Sequence, residues 1–143
     1  MNRVDVCIIG AGPAGMAAAT NAAGHGLSVL LLDERPSAGG QIYRGLEDGP
    51  FRNDPALGSD YLAGRGILQS FQAARKQAFF GVTIWRVDMS ADGGFVSFTE
   101  SGQTRRLGFA KLILATGAAE RPVAFEGWTL PGVMTVGGAQ LLL

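Results

Sequence analysis

The strongest constraint on this chain lies in the stretch Arg3 to Glu34, RVDVCIIGAGPAGMAAATNAAGHGLSVLLLDE. Val4, Val6, Cys7, Ile8 and Ile9 form a nearly unbroken apolar run, the pattern of a parallel strand buried on both faces. Gly10-Ala11-Gly12-Pro13-Ala14-Gly15 follows at once with GxGxxG spacing. The first glycine permits a tight turn, the second lets backbone approach a pyrophosphate, and the third lets helix and strand pack closely. Ala17, Ala18, Ala19, Ala22 and Ala23 continue the small-residue theme, so the helix can lie close to the sheet with its N-terminal amides turned toward phosphate. Leu27 to Leu32 is expected as a second buried strand, and Asp33 at its end stands where a carboxylate accepts from the hydroxyls of an adenosine ribose. Strand, glycine turn, helix, second strand and terminal acid in register read as the opening of a dinucleotide-binding fold. The carboxylate of Asp33, with Glu34 behind it, would repel a ribose 2′-phosphate, which argues against NADP and leaves FAD or NAD.

At 143 residues the chain suffices for one core and is too short for two ordinary domains. Its formal net charge is zero, with acids and bases interspersed, so neither a nucleic-acid groove nor an anionic membrane surface is implied. The 22 glycines far exceed the usage of about 7% in globular proteins and gather around turns, as a nucleotide-binding fold requires. A single cysteine allows no internal disulfide and no thiolate metal cluster. The first apolar run stops at Gly10 without a basic leader, and no stretch reaches the roughly 18 apolar residues of a membrane span, so a cytoplasmic location is expected.

Beyond Asp33, the run from Glu34 to Gln41 is a loop by composition. Arg35 either flanks an adenine or is merely solvated. Gly39-Gly40 again lets backbone come close to a neighbour, with Gln41 and Ile42 as a short ordered segment. Leu46 to Gly58 has the composition of an exposed connection. A second helix is expected from about Ser59 to Phe79, with Leu62, Leu68, Phe71, Ala74 and Ala78 on its apolar side and a weak or broken first half at Gly64 and Gly66. The period then changes to two. Val82–Val87, Phe95–Thr99 and Arg106–Ala110 are expected as three short antiparallel strands, and Lys111–Ala115 as a separate buried strand that returns to the main sheet and ends in Thr116-Gly117-Ala118. From Arg121 onward Pro and Gly suppress regular structure until a helix begins near Ala139.

Several reactive residue types have bland readings. Cys7 inside a buried strand acts as a small hydrophobe, and His25 between two glycines is a helix C-terminal residue. Tyr43 is expected to pack, as are Trp85 and Trp128 in a core or an interface. No metal constellation and no nucleophile, base and orienter set can be assembled, so the catalytic residues stay unassigned and no metal is expected.

Taken together, Leu32-Asp33-Glu34 with Gly39-Gly40-Gln41-Ile42-Tyr43-Arg44, Leu114-Ala115-Thr116-Gly117-Ala118, Trp128-Thr129-Leu130-Pro131-Gly132-Val133 and Gly137-Gly138-Ala139-Gln140 resemble the two-dinucleotide-binding-domain flavoproteins, the pyridine nucleotide-disulfide oxidoreductase class. Within it the chain looks most like the FAD-binding large subunits of opine oxidases, hydrogen cyanide synthase and amino-acid or sarcosine-type dehydrogenase complexes. The resemblance implies an α/β, Rossmann-like FAD/NAD(P)-binding fold with a parallel sheet, helices and a small three-stranded antiparallel meander, apparently truncated. Residues 1–143 would form one incomplete FAD-binding domain, with the meander at 82–110 and a crossover toward an absent second domain at 121–143. By the same resemblance the turn holding Gly10, Gly12, Pro13, Ala14 and Gly15 would grip the FAD pyrophosphate, and Asp33, with Glu34 and Arg35 beside it, the adenosine. Gly40 and Gln41 would pass along the ribityl and flavin side, and Thr116 with Gly117 would form a second contacting strand end. Asp33 departs from the glutamate most relatives carry, and no Cys-x-x-Cys is present to serve as a redox pair.

The implied activity is oxidation of an amine, amino acid or opine by hydride transfer to flavin. The implied partners are the remainder of the enzyme or small subunits of a hetero-oligomer, and the isolated chain is expected to show little turnover. Two other readings stay open: a noncatalytic nucleotide-binding module, and a nonfunctional remnant whose apolar Leu141 to Leu143 end lacks a packing partner.

Overall fold

The computed structural model describes residues 3–50 and 58–140. In chain order the elements are β1 (Arg3–Ile9), α1 (Pro13–Gly24), β2 (Val29–Leu32), α2 (Ser59–Ala73), β3 (Gln77–Phe79), β4 (Thr83–Ser90), β5 (Gly93–Glu100), β6 (Gln103–Leu114) and α3 (Val136–Gln140). The six strands form one mixed sheet in the order β3-β2-β1-β6-β5-β4. β3, β2, β1 and β6 run parallel, while β6, β5 and β4 are antiparallel. The α/β, Rossmann-like fold with a parallel sheet and an antiparallel meander is therefore present.

Burial on both sheet faces explains the near-continuous apolar strands. On one face Val6, Ile8, Val29 and Leu31 pack against Met16 and Ala19 of α1 and Leu68 and Phe71 of α2. On the other, Cys7, Leu30 and Leu32 meet Val82, Val96, Phe98 and Phe109. Phe98 on β5 also lies 5.5 Å, centroid to centroid, from Phe79 on β3. Those strands are far apart in the sheet order, so the antiparallel half must curl back over the face opposite the helices, as sheet twist encourages.

Several expectations need correction. β2 begins at Val29 rather than Leu27, which is exposed. Ser28, just before it, is held by Asp5: the Ser28 amide and hydroxyl donate to Asp5 Oδ2 at 2.7 and 2.6 Å, and the Asp5 amide donates to Ser28 Oγ at 2.9 Å. The expected helix to Phe79 ends at Ala73, and residues 77–79 instead pair in parallel with β2. A free sheet edge outweighs local helix propensity there. Gly64 does not break α2, because Tyr43 stacks where its side chain would be: a Cβ at residue 64 would come within 2.5 Å of the Tyr43 ring.

Finally, the separately expected Arg106–Ala110 and Lys111–Ala115 strands are one strand, β6. Its first part pairs with β5 and its second with β1, and Gly108 takes part in both registers. The returning half is less buried than expected, with Ile113 38% and Leu114 68% exposed, because α1 lies over β1 and β2 rather than over β6. Leu46, expected in an exposed connection, is buried in the helix-side core; residues 51–57 of that connection, and Leu141 to Leu143, lie outside the described residues.

Candidate functional site

The carboxyl ends of β1, β2 and β6 lie side by side, which is where open α/β sheets place their ligands. Two long-range hydrogen bonds hold the chain in register just past them. The Gly10 amide donates to Leu32 O and the Ala115 amide to Ile9 O, each at 2.8 Å. Between these ends opens a cleft of about 720 Å³, within the roughly 300–1,000 Å³ range of small-molecule sites.

The glycine turn forms its floor. Gly10 has φ +106°, and a Cβ there would lie 2.2 Å from Ala115 O, so the turn and the end of β6 can meet only if residue 10 has no side chain. Gly15 sits in the first turn of α1, where a Cβ would lie 1.8 Å from Gly10 O. It lets helix and strand close up and stays beneath the cleft, whereas Gly10, Gly12, Pro13 and Ala14 line it. Gly12 takes the N-cap position of α1 with no side-chain cap, Pro13 occupies the first turn, and no acid stands there. The first-turn amides of a helix lack intrahelical partners and carry partial positive charge. This uncapped end faces the cleft and suits an anion.

Asp33, Glu34 and Arg35 line the next wall, and Gly40, Gln41, Thr116 and Gly117 complete the set. Eleven of the twelve residues singled out from sequence thus share one cleft, Gly15 being the exception. The Asp33 side chain is turned inward, at 9% exposure. The Ala11 amide donates to its Oδ2 and the Arg35 amide to its Oδ1, the latter at 2.8 Å. Ala11 O in turn accepts from the Gly39 amide at 2.9 Å. The two glycine segments are thereby tied together, and Gly40 comes so close to Gly12 that a Cβ on residue 40 would lie 2.7 Å from Gly12 Cα.

Sequence reasoning missed the part of the lining made by Val82, Thr83 and Ile84. They arrive there because the Gly81 amide donates to Arg35 O at 2.8 Å and the Val82 amide to Asp33 O at 3.1 Å. These are contacts between segments more than 45 residues apart, with no local signature. Ile42, 54% exposed, also lines the cleft.

The remaining chemically capable residues lie elsewhere. Cys7 is fully buried, and desolvation pushes its thiol up to about 12, which keeps it inert. His25 is exposed at the end of α1, its Nδ1 2.9 Å from Asn21 O. Tyr43 packs edge-on against Tyr61 with ring centroids 6.3 Å apart. Trp85 and Trp128 are 54% and 44% exposed and so belong to no core.

Parallel strands with a glycine turn, an uncapped helix end and acids after the second strand define a Rossmann-like dinucleotide-binding fold. The chain belongs to the pyridine nucleotide-disulphide oxidoreductase family, whose model matches residues 4–141, an FAD-dependent oxidoreductase family. It is 46% identical over 143 residues to an opine oxidase subunit of Rhizobium meliloti, covering 100% of this chain and 31% of that protein. With hydrogen cyanide synthase subunit HcnB of Pseudomonas protegens it shares 39% identity over 140 residues, 94% of this chain and 29% of that protein. The chain thus spans about a third of the length of these curated relatives. The crystal structure of L-proline dehydrogenase from P. horikoshii superposes with a TM-score of 0.68 at 25% identity, over 92% of this chain and 26% of that one.

Proposed function

We propose that this chain is the FAD-gripping portion of a flavin-dependent oxidoreductase acting on an amine, amino acid or opine. The observation that carries the reading is the uncapped N-terminus of α1, facing a cleft walled by Asp33, Glu34 and the Thr116-Gly117 strand end. The residues present fit the cofactor: backbone amides for the pyrophosphate, acids for the adenosine ribose and against a 2′-phosphate, and a largely apolar wall at Ile9, Ile42, Val82 and Ile84 for a flat ring. When bound, FAD would supply a hydride acceptor for a substrate C–H next to nitrogen.

The chain's own part is to bind and orient. Among the described residues the cleft is lined by no His, Cys, Lys, Tyr or Ser, and Asp33, Glu34, Thr83 and Thr116 are its carboxylate and hydroxyl groups. Because the chain spans only 31% and 29% of the length of relatives that are themselves subunits, substrate chemistry is assigned to further sequence or to partner subunits, and the 143-residue chain alone is expected to bind cofactor with little turnover. The similarity to subunits of opine oxidase and hydrogen cyanide synthase supports the substrate class and a hetero-oligomeric setting. Among the described residues no helix is long and apolar enough to cross a membrane, in keeping with the proposed cytoplasmic location. Calorimetric titration and thermal-shift measurements with FAD, NAD and ADP test the reading. Heat and a raised Tm with FAD and ADP are expected, and silence with all three ligands would sink it.

A further inference from the structure

Among the described residues, helix α2 contributes nothing to the cleft lining, yet it grips the Gly39–Ile42 segment from both sides. Ahead of that segment, the Ala38 amide donates to Glu47 Oε2 at 3.0 Å, and the other oxygen of the same carboxylate accepts from Gln72 Nε2 of α2 at 2.9 Å. Behind it, the Tyr43 ring fills the notch at Gly64, where a Cβ would come within 2.5 Å of the ring, and it meets Tyr61 edge-on. The Tyr61 hydroxyl donates to Arg44 O, and Leu46 is buried with Leu68 and Phe71 of α2. These ties reach the cleft within one turn of chain. The Tyr43 amide donates to Gly39 O at 3.1 Å, and the Gly39 amide to Ala11 O at 2.9 Å. Gly40 lies against Gly12, the N-cap of α1. Gln41 and Ile42, which line the cleft, are exposed and stand between the two anchors.

We infer that α2 is the mount of the Gly40–Ile42 wall, and that Tyr43 and Glu47 are the positioning residues through which it holds that wall against the N-terminus of α1. Neither residue lines the cleft, so both act from outside it. The inference rests on the proposed FAD site. The wall needs such a mount because Gly39 and Gly40, at φ +128° and +63°, give the chain little preference of its own. Its place is set by what it is tied to. Gly64 then serves as a socket: a helix position without a side chain admits the ring of Tyr43. A ligand that requires the wall in place binds with an affinity scaled by the fraction of time the wall is there.

The test is limited trypsin digestion and FAD titration of the 143-residue chain and of Tyr43→Ala, Tyr43→Phe and Glu47→Ala. Cleavage after Arg44, exposed within the anchored stretch, reports release of the wall, and cleavage after Arg86 and Arg105 in the meander reports general unfolding. Tyr43→Ala is expected to speed the cut at Arg44 by about tenfold or more relative to the other two, and Glu47→Ala to do so severalfold. Tyr43→Phe, which keeps the ring, should match the unsubstituted chain. The rate at Arg44, set against that of a free peptide of the same local sequence, gives the fraction of time the wall is in place, and FAD affinity should fall in proportion to that fraction. Cuts that rise together at all three sites, or a Phe variant as open as the Ala variant, overturn the anchoring. FAD affinity that stays constant while Arg44 is cut as fast as in the free peptide overturns the positioning role. If Tyr43→Ala does not fold, Glu47→Ala decides by the same measures. Absence of FAD binding by the unsubstituted chain would instead overturn the proposed cofactor site, and the relative cleavage rates would still judge the anchoring.

Discussion

Glycine does opposite work at the two ends of this chain. In the turn after β1, a Cβ at Gly10 or Gly15 would collide with main chain at 2.2 or 1.8 Å. Glycine there makes room, and two strands, a helix and a second glycine segment close on one another. In the stretch between Ala118 and Thr135, Gly132 has φ +88° with nothing near the place a Cβ would occupy. Glycine there only turns the chain, and the segment carries Val123 at 78%, Phe125 at 61% and Leu130 at 61% exposure. The same residue type thus marks a packed binding turn in one place and an open path in the other. Composition alone cannot separate them.

The contrast can be broken by measurement. Gly15→Ala should cost the most, about 3 kcal/mol or more, because the obstructing atom is backbone and cannot rotate away; chemical denaturation would show a transition displaced to much lower denaturant, or none. Gly64→Ala should cost about 1–3 kcal/mol, since the Tyr43 ring can yield partly, and a helix-breaking role for Gly64 would instead make this substitution stabilising. Gly132→Ala should cost only about 1–2 kcal/mol, the penalty of a left-handed backbone without a clash. Should Gly15→Ala cost no more than Gly132→Ala, the distinction between the two glycine roles fails.

Cys7 reports on the packed end through pH. Up to about pH 8 its thiol is protonated whether the chain is folded or not, so it adds no pH dependence. Above that the unfolded chain sheds the proton, whereas burial holds the folded thiol up to about 12. Stability should therefore fall as pH rises from about 9 toward 12, by at most roughly tenfold in the folding equilibrium per pH unit. Comparing Cys7→Ser or Cys7→Ala unfolding curves at pH 8 and pH 10 isolates the effect from other titrating groups. The smallest effect belongs to the open end: Trp128→Ser should change stability by no more than about 0.5 kcal/mol, and a larger loss would mean that the segment is held more firmly than its exposure indicates.

Much of this was legible in the residues. The apolar runs, the GxGxxG spacing and the acid pair are local patterns with strong backbone consequences, so β1, α1, β2 and the carboxyl-end placement of the cleft could be read directly. Gly64 misled because a glycine's local cost is visible in sequence and the ring it accommodates, 21 positions earlier, is not. Residues 77–79 misled because a three-residue strand exists only through the edge of β2 that receives it. The division of β6 into two strands failed for a related reason: its antiparallel and parallel halves look different in pattern, and only partners on both sides make them one.

By itself the sequence determined the class of fold and the kind of ligand site, since turn sterics, strand burial and a helix N-terminus act over a few neighbouring residues. Tertiary structure alone decided which walls close the cleft and how Asp33 is held there. Val82 and Thr83 join the site, and Asp33 turns inward to Ala11, through hydrogen bonds whose partners are 22 to 49 positions apart; a carboxylate's role depends on which donors reach it, and that is settled only when the chain has folded.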